Sequence, residues 1–349
     1  MRRLNIAIGP IVEEFGGVSQ HILAIQKYSS HRISPIPPRL VRVMLRQYAG
    51  MYMDLIKRVG LHGYDIVHSH VDPSFVNLCL NSRKTNCSWV HTYHLLYFDE
   101  DYPEGLASWQ KEINRELIET ASKADIRISV AKWLRDYLQD VYSIQTEYIP
   151  NGVDLAACDK ANRDRFVKRY GLDNFVLFVG GLQPVKNPQL FLKLVVRIPD
   201  VKFVMIGRNM DPIRIMKDFG LSIPSNLTLM GEMRHADLLD ATSACKAFVM
   251  TTKREGLPTA LLEAMAMCKP VVVPNINGCK EIADNVDNCF SYTPNSLDDL
   301  AEQTKRALIS TSTGKKAREK VASEYDWKVV SKQIDSLYEG AISRTSIVY

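Results

Sequence analysis

The sequence predicts an α/β protein of two successive units, each an open parallel β-sheet covered by helices. Three observations carry this reading. Short apolar runs alternate with helical stretches along the whole chain. Several of those runs end in glycine, at Gly9, Gly180-Gly181 and Gly207. A turn-rich stretch, Tyr148-Ile149-Pro150-Asn151-Gly152-Val153-Asp154, interrupts the alternation, which then begins again. The length of 349 residues suits about two domains.

The elements follow in order. Leu4 to Ile8 reads as a first buried strand, followed by a Gly16-Gly17 turn and a helix from Val18. Tyr64 to His70, Ser88 to Thr92 and Ile126 to Val130 read as further strands, the last preceded by a helix over about Ser108 to Lys123. In the second half, Phe175 to Gly181, Val201 to Gly207, Ala247 to Thr251 and Pro270 to Pro274 are short, β-branched or aromatic, and bounded by breakers. Ligands of open parallel sheets bind beyond the carboxyl ends of the strands. With two such sheets, the expected site is the cleft between them.

Composition narrows the function. Hydrophobic residues at 46% and charged residues at 24% describe an ordinary globular protein. A net charge of +5 is small for a nucleic-acid binder, which would show a dense basic face. It suits anionic small molecules or an anionic membrane surface. No apolar run approaches the ~18 to 20 residues of a membrane-spanning helix. Met1-Arg2-Arg3 leads into a strand rather than a leader peptide. The 7 cysteines are scattered without a C-x-x-C pair, which predicts reduced thiols and a cytoplasmic protein.

The most informative stretch runs from Lys253 to Met267. Pro258 suits the first turn of a helix and Thr259 its cap, while Leu261, Leu262, Met265 and Ala266 supply an apolar face. Free N–H groups at such a helix start form a phosphate site. Glu263 is expected roughly two turns in, where a carboxylate suits sugar hydroxyls rather than the helix dipole. A surface helix with two solvated glutamates, Glu255 and Glu263, fits this segment equally well. Lys186, beyond Gly180-Gly181, reads as a phosphate counter-charge or as a solvated loop lysine.

Taken together, the blocks resemble a known family. Glu255-x7-Glu263, with Gly256-Leu257-Pro258 after the first glutamate and Pro270-Val271-Val272 downstream, resembles retaining GT-B glycosyltransferases of family 4, the glycosyl transferases group 1. Gly16-Gly17-Val18-Ser19, Asp65 to His70, Val90 to His94, Ile149 to Asp154 and Val179 to Lys186 match the family's other blocks in order. The resemblance implies two Rossmann-like domains with parallel sheets facing across a deep cleft. The N-terminal acceptor domain would span 1–153, with a C-terminal helix at about 326–349 packing back on it. The donor domain would span 154–325.

It further implies a nucleotide-diphosphate sugar, a UDP- or GDP-sugar, as co-substrate, with no metal and no other cofactor. Lys186 and the amides of Gly256, Leu257, Pro258 and Thr259 at the helix start would take the diphosphate, although Pro258 itself has no N–H to offer. Glu255 would hold sugar hydroxyls and Glu263 the ribose. Met233, in Met230-Gly231-Glu232-Met233, would flank the base. Gly16 and Gly17 would approach the donor, and His94 would lie beside the transferred sugar. Transfer would proceed with retention, with stabilisation of the leaving diphosphate as the main catalytic contribution.

The sequence departs from the family at named positions. Gly181 stands where an arginine is usual, so Lys253, Arg254 or Arg208 would supply the missing charge. Thr251-Thr252 replaces Pro-Ser, Cys268 replaces a glycine, and Asn209 replaces another. His68-x-His70 and His91-x-x-His94 fit substrate contact better than zinc, whose structural spacings they do not match. Asp99-Glu100-Asp101 reads as a solvated loop.

Residues 39–58 form an amphipathic segment with Arg39, Arg42, Arg46 and Lys57 on one face. That face is either solvated or drawn to anionic lipid at the inner side of a membrane. The acceptor would be a glycan, a lipid-linked sugar or a phosphorylated sugar. The contrasting expectations are a non-catalytic scaffold subunit, a phosphorylase or an epimerase on the same fold.

Overall fold

The computed structural model describes residues 2–10, 16–36, 61, 63–82 and 87–345. The basic segment 39–58 lies outside the described residues. The chain forms two compact units. The first comprises Met1–Asp99, Gly105–Asn151 and Trp327–Tyr349, and the second Glu100–Glu104 and Gly152–Asp326.

In the N-terminal unit the described strands are β1 (Asn5–Gly9), β2 (Arg32–Pro35), β3 (Ile66–Ser69), β4 (Ser88–Tyr93), β5 (Ile126–Ser129) and β6 (Glu147–Tyr148). They pair in parallel in the order β2-β1-β3-β4-β5-β6. Both faces of the sheet are covered, so β1, β3 and β4 are buried almost throughout, as parallel strands are. The helix Trp327–Thr345 belongs to this unit. Its Trp327, Val330, Ile334, Leu337, Tyr338 and Ala341 recur at helical spacing and join one buried cluster with Ile6, Ile8, Ile22 and Ile25. Asp335 fastens the same helix, accepting from Ser29 Oγ at 2.6 Å and from Ser30 N at 2.8 Å.

The single helix expected over 108–123 is instead an α-helix, Ser108–Arg115, a π turn, Glu116–Thr120, and a 3₁₀ turn, Ala121–Lys123. The widened turn turns Glu116 inward, where its carboxylate accepts from Asn77 Nδ2 at 2.9 Å.

In the C-terminal unit the strands are β7 (Val176–Val179), β8 (Phe203–Ile206), β9 (Leu227–Met230), β10 (Ala247–Val249), β11 (Val271–Pro274) and β12 (Cys289–Tyr292). Their order is β12-β11-β10-β7-β8-β9, again all parallel. Phe178, Phe191 and Phe203 pack ring against ring in the core, Phe191 meeting Phe203 edge to face. The order reverses between β7 and β10 here, and between β1 and β3 in the first unit. Ligand crevices of open α/β sheets open at such switch points. Gly207 shows how tightly the loops pack there. A Cβ at that residue would overlap the carbonyl oxygen of Gly180.

Candidate active site

Two loops meet beyond the switch point of the C-terminal sheet, one after β7 and one after β10. Their backbones are joined by Lys253 N donating to the Val185 carbonyl at 2.8 Å. Thr251 Oγ1 donates to the carbonyls of Lys186 and Asn187, at 3.1 and 2.9 Å. Thr252 Oγ1 donates to the carbonyls of Val185 and Arg254, both at 2.9 Å. The Thr251-Thr252 pair is therefore a structural staple between the loops. Its signal in the sequence was only a departure from the usual residues.

The joined loops bring Lys186 and Glu255 together. Lys186 Nζ lies 2.7 Å from Glu255 Oε1, with Glu255 buried and Lys186 about one-third exposed. Gly278 presses on the same turn, where a Cβ would overlap the carbonyl oxygens of Glu255 and Gly256. Gly256, Leu257 and Pro258 are buried and lead into the helix Thr259–Ala266.

Pro258 occupies the N-cap and Thr259 is the first helical residue, with no side-chain cap. This corrects the expected cap, because proline's fixed φ already sets the entry geometry. Glu263 stands only one turn into this helix, nearer than expected. Its Oε1 lies 2.6 Å from His235 Nε2, on the helix His235–Ala244. Burial opposes protonation of His235, but the hydrogen bond and charge of Glu263, with Asp154 behind, raise its pKa above the ordinary histidine value. Sequence reasoning did not single out His235.

The basic residues considered as substitutes for an arginine at position 181 are each engaged. Arg208 pairs with Glu232 at 3.2 Å, in the Met230-to-Met233 segment. Arg254 donates to Asp101 Oδ2 and to Glu100 Oε1, both at 2.7 Å, and Lys253 Nζ donates to the Asp101 carbonyl at 3.3 Å. The solvated reading of Asp99-Glu100-Asp101 therefore fails at Asp101, which is buried against the Arg254 cation. At Gly181 the space a Cβ would need is taken by the tip of Gln183, a flexible side chain.

In the N-terminal unit, Gly16 is the N-cap of the helix Gly17–Tyr28, and a Cβ on Gly17 would meet none of the described residues within 4 Å. His68 in β3 and His91 in β4, His70 and His94 just past those strands, and His21 on the helix Gly17–Tyr28 gather in this unit. His68 is held between Tyr338 Oη at 2.6 Å and Thr92 Oγ1 at 2.8 Å. His91 Nδ1 meets Ser69 Oγ at 2.8 Å. His70 Nδ1 lies 3.0 Å from His94 Nε2. His21 donates from Nδ1 to Asn151 Oδ1 at 3.0 Å.

Burial keeps these rings neutral. It draws the pKa of His91 down to about 3, and that of His21 to about 4 against the Asn151 hydrogen bond. Burial, reinforced by the neighbouring imidazoles, holds His68, His70 and His94 well below the ordinary value.

Residues 159–345 match the sequence profile of the glycosyl transferases group 1. The chain belongs to that family. Residues 15–157 of this group 1 transferase also match the profile of Glycosyltransferase Family 4. It is 25% identical over 307 residues to the UDP-Gal:alpha-D-GlcNAc-diphosphoundecaprenol alpha-1,3-galactosyltransferase of Escherichia coli, covering 82% of this chain and 77% of that one. It is 27% identical over 373 residues to the phosphatidyl-myo-inositol mannosyltransferase of Mycolicibacterium smegmatis, covering 93% and 90%.

Among solved structures it resembles the sucrose-phosphate synthase of Thermosynechococcus elongatus, with a TM-score of 0.76 and 18% identity over 98% of this chain and 100% of that one. It also resembles HepE of Anabaena, solved with UDP and glucose, with a TM-score of 0.76 and 17% identity over 97% and 100%. The fold is thus GT-B, and the group 1 transferase moves sugars from nucleotide-sugar donors. Among the described residues, no helix is long and apolar enough to cross a membrane.

Proposed function

We propose that this transferase moves a hexose, with retention and without a required metal, from a UDP- or GDP-sugar to a hydroxyl of a lipid-linked or phosphorylated acceptor. The observation that carries the reading is the Lys186–Glu255 pair at the switch point of the C-terminal sheet, beside the start of the helix Thr259–Ala266. Lys186 can exchange Glu255 for the donor diphosphate, because an ammonium is a point charge on a flexible stem. The amides of Gly256, Leu257 and Thr259 add the dipole of the helix start.

Glu255, released from Lys186, takes donor-sugar hydroxyls, and Glu263 takes the ribose, positioned by His235. Met233 lines the base. Arg208 balances charge at the diphosphate in place of an arginine at Gly181. For the N-terminal unit the reading assigns the acceptor, and to Gly16, Gly17 and His94 the contacts with the transferring sugar. The names of the Escherichia coli and Mycolicibacterium smegmatis relatives support a lipid-linked acceptor. Residues 39–58 would bring the enzyme to an anionic membrane. Neutralising Arg39, Arg42 and Arg46 would then weaken liposome binding.

Thermal stabilisation by UDP, GDP, ADP and their sugar conjugates tests the donor. A ligand at about 100 times its dissociation constant adds ~2.7 kcal/mol. One nucleotide is expected to shift the melting temperature in the wild type and not in Lys186→Ala. Absence of any shift would overturn the reading in favour of a scaffold subunit.

A further inference from the structure

We propose that His21, His70 and His94 form a binding site for a transition-metal ion of the Zn²⁺ type within the N-terminal unit. One ring nitrogen from each lies within 4.8 Å of the other two, and His21 and His70 are almost fully buried. Nε2 of His21 and Nε2 of His70 are buried and have no hydrogen-bond partner among the described residues. Buried polar atoms are ordinarily satisfied, so the unpartnered Nε2 of His21, beside the clustered nitrogens of His70 and His94, calls for a ligand.

The tautomer of His21 is set. Asn151 Oδ1 only accepts, so Nδ1 carries the proton and the Nε2 lone pair is free. A metal-binding histidine is ordinarily held in this way, through its other nitrogen, by a neighbouring acceptor. His70 Nδ1 and His94 Nε2 face each other at 3.0 Å with one proton between them. Tetrahedral zinc, with Zn–N of about 2.0–2.1 Å, needs ligand nitrogens roughly 3.3 Å apart. The ion would sit between those two nitrogens, the displaced proton moving to the other nitrogen of its own ring so that both imidazoles stay neutral, and a small rotation of the His21 ring would bring its Nε2 in as the third ligand.

Of the neighbouring rings, His68 has both nitrogens hydrogen-bonded, and His91, whose Nε2 is also without a partner among the described residues, is not among the nitrogens that cluster within 4.8 Å. His68 is held by Tyr338 and Thr92, and His91 by Ser69. Three neutral imidazoles favour Zn²⁺ over Mg²⁺ or Ca²⁺, which take oxygen ligands. They leave a fourth position for water or an anion. The donor reading's Lys186, Glu255 and Glu263 lie in the other unit; the two readings share His94, so Lys186→Ala tests the donor reading and leaves the three histidines untouched.

The test uses the full chain, stripped with a chelator and titrated with Zn²⁺ by calorimetry and with Co²⁺ by visible absorption. One equivalent should bind, with Co²⁺ bands of a nitrogen–oxygen site and no thiolate charge-transfer band. His21→Gln and His70→Gln should each abolish the stoichiometric step, and Asn151→Ala should weaken it roughly 10- to 100-fold. Nitrogen-15 imidazole spectra of the wild type guard against variants that fail to fold. Zn²⁺ should move the ring nitrogens of His21, His70 and His94 and leave those of His31 and His91 in place. A thiolate band, retention of binding in both glutamine variants, unmoved His21 and His70 nitrogens, or no stoichiometric binding would each overturn the proposal.

Discussion

The two units share a parallel-sheet plan and place polar groups beyond the same part of it, yet they handle charge in opposite ways. At the β7/β10 switch point the C-terminal unit holds ions in pairs, each with at least one partly exposed partner. Lys186 meets Glu255, and close by His235 meets Glu263 and Arg208 meets Glu232. At the β1/β3 switch point the N-terminal unit buries a group of imidazoles and keeps them neutral. Pairs of ions near solvent exchange partners cheaply, which suits a site that admits a charged donor. Burial keeps those rings unprotonated, and a neutral imidazole offers a lone pair for hydrogen bonding or metal ligation.

The largest effect expected from this contrast is on turnover. Lys186→Ala should lower kcat by about 10²- to 10³-fold, the usual loss when one preorganised electrostatic contact is removed. Initial rates at saturating donor check it. A loss of less than tenfold would mean that the pair is only structural.

The next effect is on acid stability. The folded pKa of His91 lies near 3, below the ~6.5 of an unfolded histidine. Its neutral form therefore stabilises the fold fully above about pH 6.5, and that contribution falls as pH drops toward about 3, by a few kcal/mol in all. Hydrogen exchange followed region by region should show residues of the N-terminal unit loosening first on acidification. Earlier opening of the C-terminal unit would break the contrast.

Gly278 tests how closely the donor loop is packed. Gly278→Ala should cost about 1–3 kcal/mol, because the new methyl meets the rigid backbone of Glu255 and Gly256. Thermal melts read the stability, and donor KM should rise with it. An unchanged melt would show that the turn yields.

His235 acts with the opposite sign to His91. Its folded pKa is raised, so its pairing with Glu263 contributes fully below about pH 6.5 and is lost as pH rises through the raised value. The side chain is about one-third exposed, so solvent limits the effect to ~1 kcal/mol or less. His235→Gln should remove the alkaline part of the pH dependence of donor KM. Persistence of that part would assign it elsewhere.

The smallest effect sharpens the comparison further. Gly181→Arg should fold normally, since only the tip of Gln183 has to move, and should tighten nucleotide binding severalfold in calorimetry. Weaker binding would show that Arg208 or the loop amides already fill that role.

Much of the fold and part of the site could be read along the chain. Strand cores such as Phe203–Ile206 are apolar throughout and bounded by breakers, so their positions are local properties. Glu255, Glu263 and Lys186 stood out through the family resemblance, since their own spacing and glycine context fit solvated side chains equally well. His235, Thr251, Thr252 and Asp101 were read otherwise or passed over. Each acquires its part from a partner remote in sequence, and a polar residue at a loop or helix start reads the same whether solvated or paired. His21 was missed as a companion of His70 and His94 for the same reason, since it sits on a helix that the sheet alone brings to them.

The sequence by itself determined the α/β class, the two sheets, the glycine-ended strands and the E-x7-E helix, because these depend on local apolar pattern and backbone freedom. Only the tertiary structure decided which charges meet. It decided that Glu255 faces Lys186, that Arg254 meets Asp101, and that the imidazoles of His21, His70 and His94 converge. Strand order and loop packing set those distances, and whether a polar group is neutral, paired or open to a ligand depends on its burial and its neighbours rather than on its place in the chain.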